Sequence, residues 1–234
     1  MTKELSIVVP CYNESGNIPF IVEQFKKLIE NHDFCEVILV DNGSTDDSYN
    51  ILKRETAESK ILILHLETNK GYGCGILSGL EKASGNILAW THADGQTDPM
   101  DVIKAYELYK LNPEEKLIVK GARKNRNFMN AFFSFAMQVF ASIVLRVTLD
   151  EINAQPKLFS RKFYESYIKE KAPNDFSLDL YLLYMAFKQG SIKNIPVYFK
   201  QRIHGDAKGG GSFKGKLNLI KRTVEYIFEL AKTI

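Results

Sequence analysis

The sequence predicts a doubly wound α/β fold with a mostly parallel sheet and a C-terminal helical elaboration. Two patterns carry that expectation. Short, near-continuous apolar runs suit strands buried on both faces. Stretches of helical period alternate with them. The first run, Leu5–Pro10, ends at a proline. Ile18–Ile29 follows, with apolar residues at helical spacing. Val37–Asp41, Ile61–Leu66, Ile87–Thr91 and the weaker Leu117–Val119 continue the strand series. Helices over Ser48–Glu58 and Gly75–Ala83 lie between them. Another opens with Asp98 as N-cap and Pro99 at the first helical position, and runs to Tyr109.

After Gly121 the pattern changes. Asn127–Val147 reads as one long helix, Lys157–Ser160 as a short strand, and a helix starts at Arg161. Ser177–Gln189 reads as a helix with Ser177 as N-cap and Gly190 at its end. Ile192–Phe199 reads as a strand, His204–Lys216 as a Gly- and Lys-rich loop, and Leu217–Ile234 as an amphipathic helix. No repeat or linker interrupts the chain, so one domain is expected over residues 1–234, with 1–122 and 123–234 as its halves.

At 234 residues the chain is long enough to bury a sizeable core. It is 45% hydrophobic and 25% charged, which excludes disordered, collagen-like and low-complexity classes. A net charge of +3 gives no argument for nucleic acid. Cys11, Cys35 and Cys74 cannot pair completely and match no metal spacing, so buried thiols in a reducing cytosol are expected. Met1–Pro10 turns polar too soon for a signal peptide. One stretch departs from the average: Asn127–Leu145 holds no charged side chain.

In open parallel sheets, ligands bind outside the carboxyl ends of the strands. Polar residues collect at those ends here. Strand one leads into Pro10-Cys11-Tyr12-Asn13-Glu14, and strand two into Asp41-Asn42-Gly43-Ser44-Thr45-Asp46. Strand three leads to Asn69-Lys70-Gly71-Tyr72-Gly73, and strand four to His92-Ala93-Asp94-Gly95-Gln96. A single loop of this kind is ordinary turn chemistry; four on one rim point to a site. Gly71, Gly73 and Gly75 also follow a strand and open a helix, as a dinucleotide-binding run does. They follow the third strand rather than the first, which argues against that class.

Taken in order, these segments resemble the inverting family-2 glycosyltransferases with a GT-A fold. They are most similar to the branch of dolichol-phosphate mannose synthases and bacterial polyprenyl-phosphate sugar transferases. The resemblance spans residues 4–212 and includes Gly121–Arg123, Gln155–Phe159, Phe176–Leu180 and Arg202–Lys208. It implies a nucleotide-sugar half over 1–122 and an acceptor half over 123–234. Pro10, Tyr12 and Glu14 would line the nucleoside pocket, with Tyr12 against base or ribose and Glu14 accepting a ribose hydroxyl. Asp41 and Asn42 would approach the base edge. Lys70, Ala93, Asp94 and Gln96 complete the implied donor set.

A departing nucleoside diphosphate develops negative charge, which a divalent cation neutralises. Oxygen-rich sites suit Mg²⁺ or Mn²⁺. Where the family has Asp-x-Asp, this sequence has His92-Ala93-Asp94, followed by Gln96. The resemblance implies Asp94 and Gln96 as metal contacts, with His92 replacing the first acid. Imidazole suits Mn²⁺ better than Mg²⁺; alternatively His92 only hydrogen-bonds donor or phosphate. Arg123, with Lys124 and Arg126, is a basic cluster that the resemblance aims at donor or acceptor phosphate. Arg202, His204 and Lys208 lie before or within a Gly-rich loop that Gly209–Gly211 would let close over the donor.

Two acceptor classes stay open. A glycan hydroxyl needs a general base, for which Asp179 is the candidate. A polyprenyl phosphate is already ionised and needs none. Without a ligand role, Asp179 is a first-turn helix acid. Asp94, Asp179 and Arg123 are thus the catalytic candidates. At about 100° per residue, Asn127, Asn130, Ser134, Gln138 and Ser142 share an arc of about 120°, and apolar residues fill the rest. Three roles fit that helix: contact with a membrane surface or lipid chain, a homodimer interface, or core. Its place after the Arg123 cluster favours lipid. The expectation is a cytoplasmic enzyme, peripheral at the inner face of a membrane. A sugar-nucleotide-binding protein with little catalysis is the remaining class, because His92 breaks the acidic pair.

Overall fold

The computed structural model describes residues 3–124, 128–205 and 213–232. Its strands are β1 (Leu5–Cys11), β2 (Cys35–Asn42), β3 (Leu62–Leu66), β4 (Ile87–Trp90), β5 (Leu117–Arg123), β6 (Lys157–Ser160) and β7 (Ser191–Val197). They form one sheet in the order β3-β2-β1-β4-β6-β5-β7. Every pairing is parallel except those of β6, which runs against β4 and β5.

Helices cover both faces. On one lie α1 (Ile18–Asn31), α2 (Ser48–Thr56) and α4 (Met100–Leu111), burying Phe25, Leu52 and Val102 against Ile7, Val9, Val37 and Leu39. On the other lie α3 (Tyr72–Lys82), α5 (Phe128–Leu145), α7 (Leu178–Gln189) and α8 (Phe213–Ala231). There Ile76, Leu80, Leu145, Leu182 and Ile227 pack with Val8, Ile38, Val40 and Trp90. Between β6 and α7, α6 (Arg161–Phe163) continues as a π-helical turn over Tyr164–Ile168. The alternation of burial along β1 and β2 assigns odd residues to one core and even residues to the other, as a doubly wound sheet requires.

Several expectations need correction. β3 is not buried on both faces: it is the sheet edge, with β2 as its one neighbour, and Leu62 is 49% exposed. α4 starts at Met100, with Asp98 capping it as expected: its Oδ1 accepts from the Met100 amide at 3.0 Å. α3 starts earlier, at Tyr72. A Cβ on Gly71 would meet Asn174 O at 2.3 Å and one on Gly73 would meet Pro173 O at 2.5 Å. These glycines admit the 173–175 loop, not a dinucleotide. The last helix starts at Phe213, ahead of Leu217.

The long uncharged helix, α5, turns the described part of its polar arc inward. Asn127 lies outside the described residues, as do the side chains of Asn130 and Ser134. Gln138 and Ser142 face inward, where Gln138 Oε1 accepts from the Glu151 amide at 2.9 Å and Ser142 Oγ from the Leu149 amide at 3.2 Å. Among its described side chains Ala136, Val139 and Ile143 are exposed, as is Arg146 just beyond the helix. The polar arc satisfies the returning backbone, and an apolar stripe is left outside. Cys11, Cys35 and Cys74 are free thiols. Burial pushes the Cys35 thiol up to about 12.

Candidate active site

β1 lies between β2 and β4, so the chains leaving these strands diverge at the carboxyl edge and open a crevice. The loops after β1 and β2 are tied together. Asn13, with φ of 52°, donates its amide to Ser44 Oγ at 3.0 Å and accepts from the Thr45 amide at 2.8 Å. The Glu14 amide donates to Ser48 Oγ at 2.9 Å. This lacing presents Glu14 at the crevice while leaving it only 8% exposed.

Across the crevice, Arg202 joins Glu14 to Asp94. Nη1 donates to Glu14 Oε1 at 3.0 Å and Nη2 to Asp94 Oδ2 at 2.9 Å. The segment bearing Arg202 is held at both ends. The Lys200 amide donates to Gln96 O at 2.8 Å, and Gln96 Nε2 donates to Lys200 O at 3.1 Å. Asn17, 1% exposed, grips the His204 backbone through two hydrogen bonds of 3.1 Å.

The Asp41 carboxylate is fully buried. Oδ1 accepts from the Ser44 amide at 3.3 Å, and Oδ2 lies 2.7 Å from His65 Nδ1. His65 stacks on Tyr49 with centroids 4.0 Å apart. Asp41 therefore orders the β2 turn. Asn42 is better placed: Nδ2 donates to Gly71 O at 2.9 Å, while its buried Oδ1 has no partner. An orphaned acceptor at the crevice suits an N–H from a ligand.

At the β5–β6 end, Lys157 is fully buried, and its Nζ donates to Ile152 O at 2.8 Å and to Ala154 O. It also lies 3.4 Å from Asp179 Oδ1, which accepts from Gln155 Nε2 at 3.0 Å. Asp179 is 3% exposed. Burial lowers the Lys157 ammonium to about 8, with Asp179 opposing that shift. Burial and the nearby Asp179 carboxylate push the Tyr72 phenol well up. Lys120 Nζ is 3.1 Å from Asp150 Oδ1. Arg123 Nε donates to Glu151 Oε2 at 2.6 Å, and the guanidinium lies over Phe199 at 5.3 Å.

The donor set includes two plausible cation ligands. His92 Nδ1 is 3.8 Å from Asp94 Oδ2, and the imidazole stands edge-on between Tyr72 and Phe199. Asp94 Oδ1 accepts from the Gln96 amide at 3.0 Å. Among the described residues no three His, Cys, Asp or Glu side chains gather around one point. One imidazole and one carboxylate fit a cation whose shell is completed by substrate phosphates. The Gln96 side-chain nitrogen is engaged by Lys200, and its Oε1 is the atom that a cation would take.

Sequence reasoning thus placed Glu14, Asn42, His92, Asp94, Gln96 and Arg202 on one rim. Pro10 and Tyr12 are half-buried at the end of β1, Ala93 is buried beside Asp94, and Lys70 is exposed on the β3–α3 loop. Arg123 is committed to Glu151, and Asp179 to Lys157. Arg126 and Lys208 lie outside the described residues. Asn17, His65, Gln155 and Lys157 were not singled out as site residues. His65, Lys120 and Lys157 carried a usable signal, a single basic residue in an apolar strand.

An undecaprenyl-phosphate 4-deoxy-4-formamido-L-arabinose transferase of Pseudomonas syringae pv. syringae is 35% identical over 127 residues, 53% of this chain and 37% of that protein. A protein of the same name from Photorhabdus laumondii is 26% identical over 227 residues, 93% of this chain and 66% of its own. The chain therefore spans less than two thirds, to about two thirds, of these relatives' length. Glucosyl-3-phosphoglycerate synthase of Mycobacterium tuberculosis, solved with Mn²⁺, UDP-glucose and phosphoglyceric acid, superposes with a TM-score of 0.74. It is 17% identical over 99% of this chain and 80% of that one, a likeness that assigns the GT-A fold. The glycosyl transferase family 2 model matches residues 6–172, and the chain belongs to that family.

Proposed function

We propose that the chain transfers a sugar, with inversion, from a nucleoside-diphosphate sugar to a polyprenyl phosphate. The carrying observation is the state of Asp179. It is sealed from solvent, accepts from Gln155 and lies beside the Lys157 ammonium. Its Oδ1 is occupied by both partners, so it does not stand free to take the proton of an acceptor hydroxyl. A hydroxyl nucleophile needs a base within reach, whereas a phosphate monoester is already ionised. The likeness to undecaprenyl-phosphate sugar transferases supports the same acceptor class.

In this reading Glu14 accepts from ribose hydroxyls, and Asn42 Oδ1 accepts from the base. An acceptor phosphate oxygen attacks the anomeric carbon as the bond to the diphosphate breaks. Arg202 binds the diphosphate, and Arg123 exchanges Glu151 for the acceptor phosphate. A cation held by His92 and Asp94 would neutralise the leaving diphosphate. α5 exposes Val139 and Ile143, and α8 exposes Leu217, Ile220 and Phe228. These side chains support peripheral contact with a membrane carrying the lipid. Among the described residues no helix is long and apolar enough to cross it.

The test supplies labelled sugar nucleotides with either polyprenyl phosphate or a glycan. Asp179→Asn is expected to keep lipid-linked product within about tenfold of the unaltered chain. A base role would cost about 10²–10⁴-fold. Product on the glycan alone, with that larger loss, sinks the proposal.

A further inference from the structure

We propose that Arg202 is a placeholder for the divalent cation, so that cation and nucleoside diphosphate enter the site as a pair. The inference rests on the donor reading above. One guanidinium holds both carboxylates that the donor and its cation would use: Glu14 and Asp94, at 3.0 and 2.9 Å. The three side chains are 17%, 9% and 10% exposed, so solvent screens them weakly. Arg202 lies 188 residues from Glu14 and 108 from Asp94, so no local turn accounts for the contact. The strap that carries it is stapled on both sides, by Gln96 at residue 200 and by Asn17 at residue 204. The fold therefore aims this cation between these two anions.

The consequence is electrostatic. A cation reaching Asp94 Oδ2 alone must approach the guanidinium, and the like charges oppose it. A diphosphate offers Arg202 more negative charge and a matching bidentate geometry. Transfer of Arg202 to the phosphates releases Asp94 for the cation and Glu14 for the ribose in one movement. Each ligand then raises the affinity of the other, because both displace the same contact.

The full chain is titrated with Mn²⁺ by electron paramagnetic resonance, alone and with saturating UDP, GDP, CDP or ADP. In the unaltered chain Mn²⁺ alone binds weakly, and one or more nucleotides tighten it. Arg202→Gln is expected to bind Mn²⁺ alone about tenfold tighter, within the usual range of coupling between sites. The tightening conferred by nucleotide shrinks by a similar factor. Asn17→Ala, which frees one end of the strap, is expected to tighten Mn²⁺ alone severalfold; it decides the matter if Arg202→Gln does not fold. If both fold and neither binds Mn²⁺ alone more tightly, while nucleotide still recruits Mn²⁺ to the unaltered chain, the placeholder is refuted and the donor reading stands. If no nucleotide recruits Mn²⁺ to the unaltered chain, the cation reading falls, and the placeholder with it.

Discussion

At the β1–β4 end of the rim, Glu14 and Asp94 are joined through Arg202, which sits on a strap laid over the sheet. At the β5–β6 end, Asp179 and Asp150 face Lys157 and Lys120, which belong to the sheet itself. The first counter-ion can leave without disturbing a strand. The second cannot, since Lys157 also holds the carbonyls of Ile152 and Ala154. A carboxylate paired with a removable cation is available to a ligand. One paired with a core lysine serves the fold; for Lys157 and Asp179, both buried, removing either partner strands a buried charge. In the proposed reading Asp94 works on the donor and Asp179 supports the fold, although the sequence offers both as candidates.

The largest expected effect is at the donor end. Asp94→Ala should lower sugar transfer by about 10³-fold, the scale of a lost transition-state contact. Its thermal midpoint should move little, because Arg202 keeps Glu14. Initial rates with labelled donor and a melting curve check both parts. Retention of a tenth or more of the activity would break the comparison at its donor side.

Next comes the acceptor end, where the loss should appear in stability. Lys157→Met leaves Asp179 buried without its cation and two carbonyls without a donor. Destabilisation of about 3 kcal/mol is expected by urea unfolding. An unchanged midpoint would mean that this pair is as dispensable to the fold as the Arg202 bridge.

The comparison also explains what could be read in advance. β1, β2 and β4 were legible because buried parallel strands leave unbroken apolar runs. Their polar exits were legible because ligand-binding loops follow such strands. β6 was seen as a strand, but its direction was not, since four residues carry no orientation. The Glu14–Arg202–Asp94 contact was invisible for a different reason: it joins residues more than a hundred positions apart. For α5, the period revealed a polar arc without saying which side faced water. The amides of Leu149 and Glu151 needed partners, and that demand turned the arc inward.

The smallest effect is a pH dependence confined to the acceptor end. The Lys157 ammonium is lowered to about 8 in the folded chain, against 10.5 for the free side chain. Below about pH 8 it is protonated in both states, and the cost of burying it is fully felt. Between about 8 and 10.5 the unfolded chain binds a proton that the folded chain does not. Stability therefore rises with pH in that window, by at most about 1.4 kcal/mol per unit. Lys120, also lowered by burial, acts in the same direction. Buried tyrosines such as Tyr72, whose phenols are raised, act oppositely at higher pH. The clean quantity is thus the stability of the unaltered chain minus that of Lys157→Met, measured from pH 7 to 10. It should be level to about pH 8 and then grow in favour of the unaltered chain. A difference level throughout would mean that Lys157 keeps its proton, so that the acceptor end holds a full ion pair across the range. The two ends would then differ only in which cation can leave.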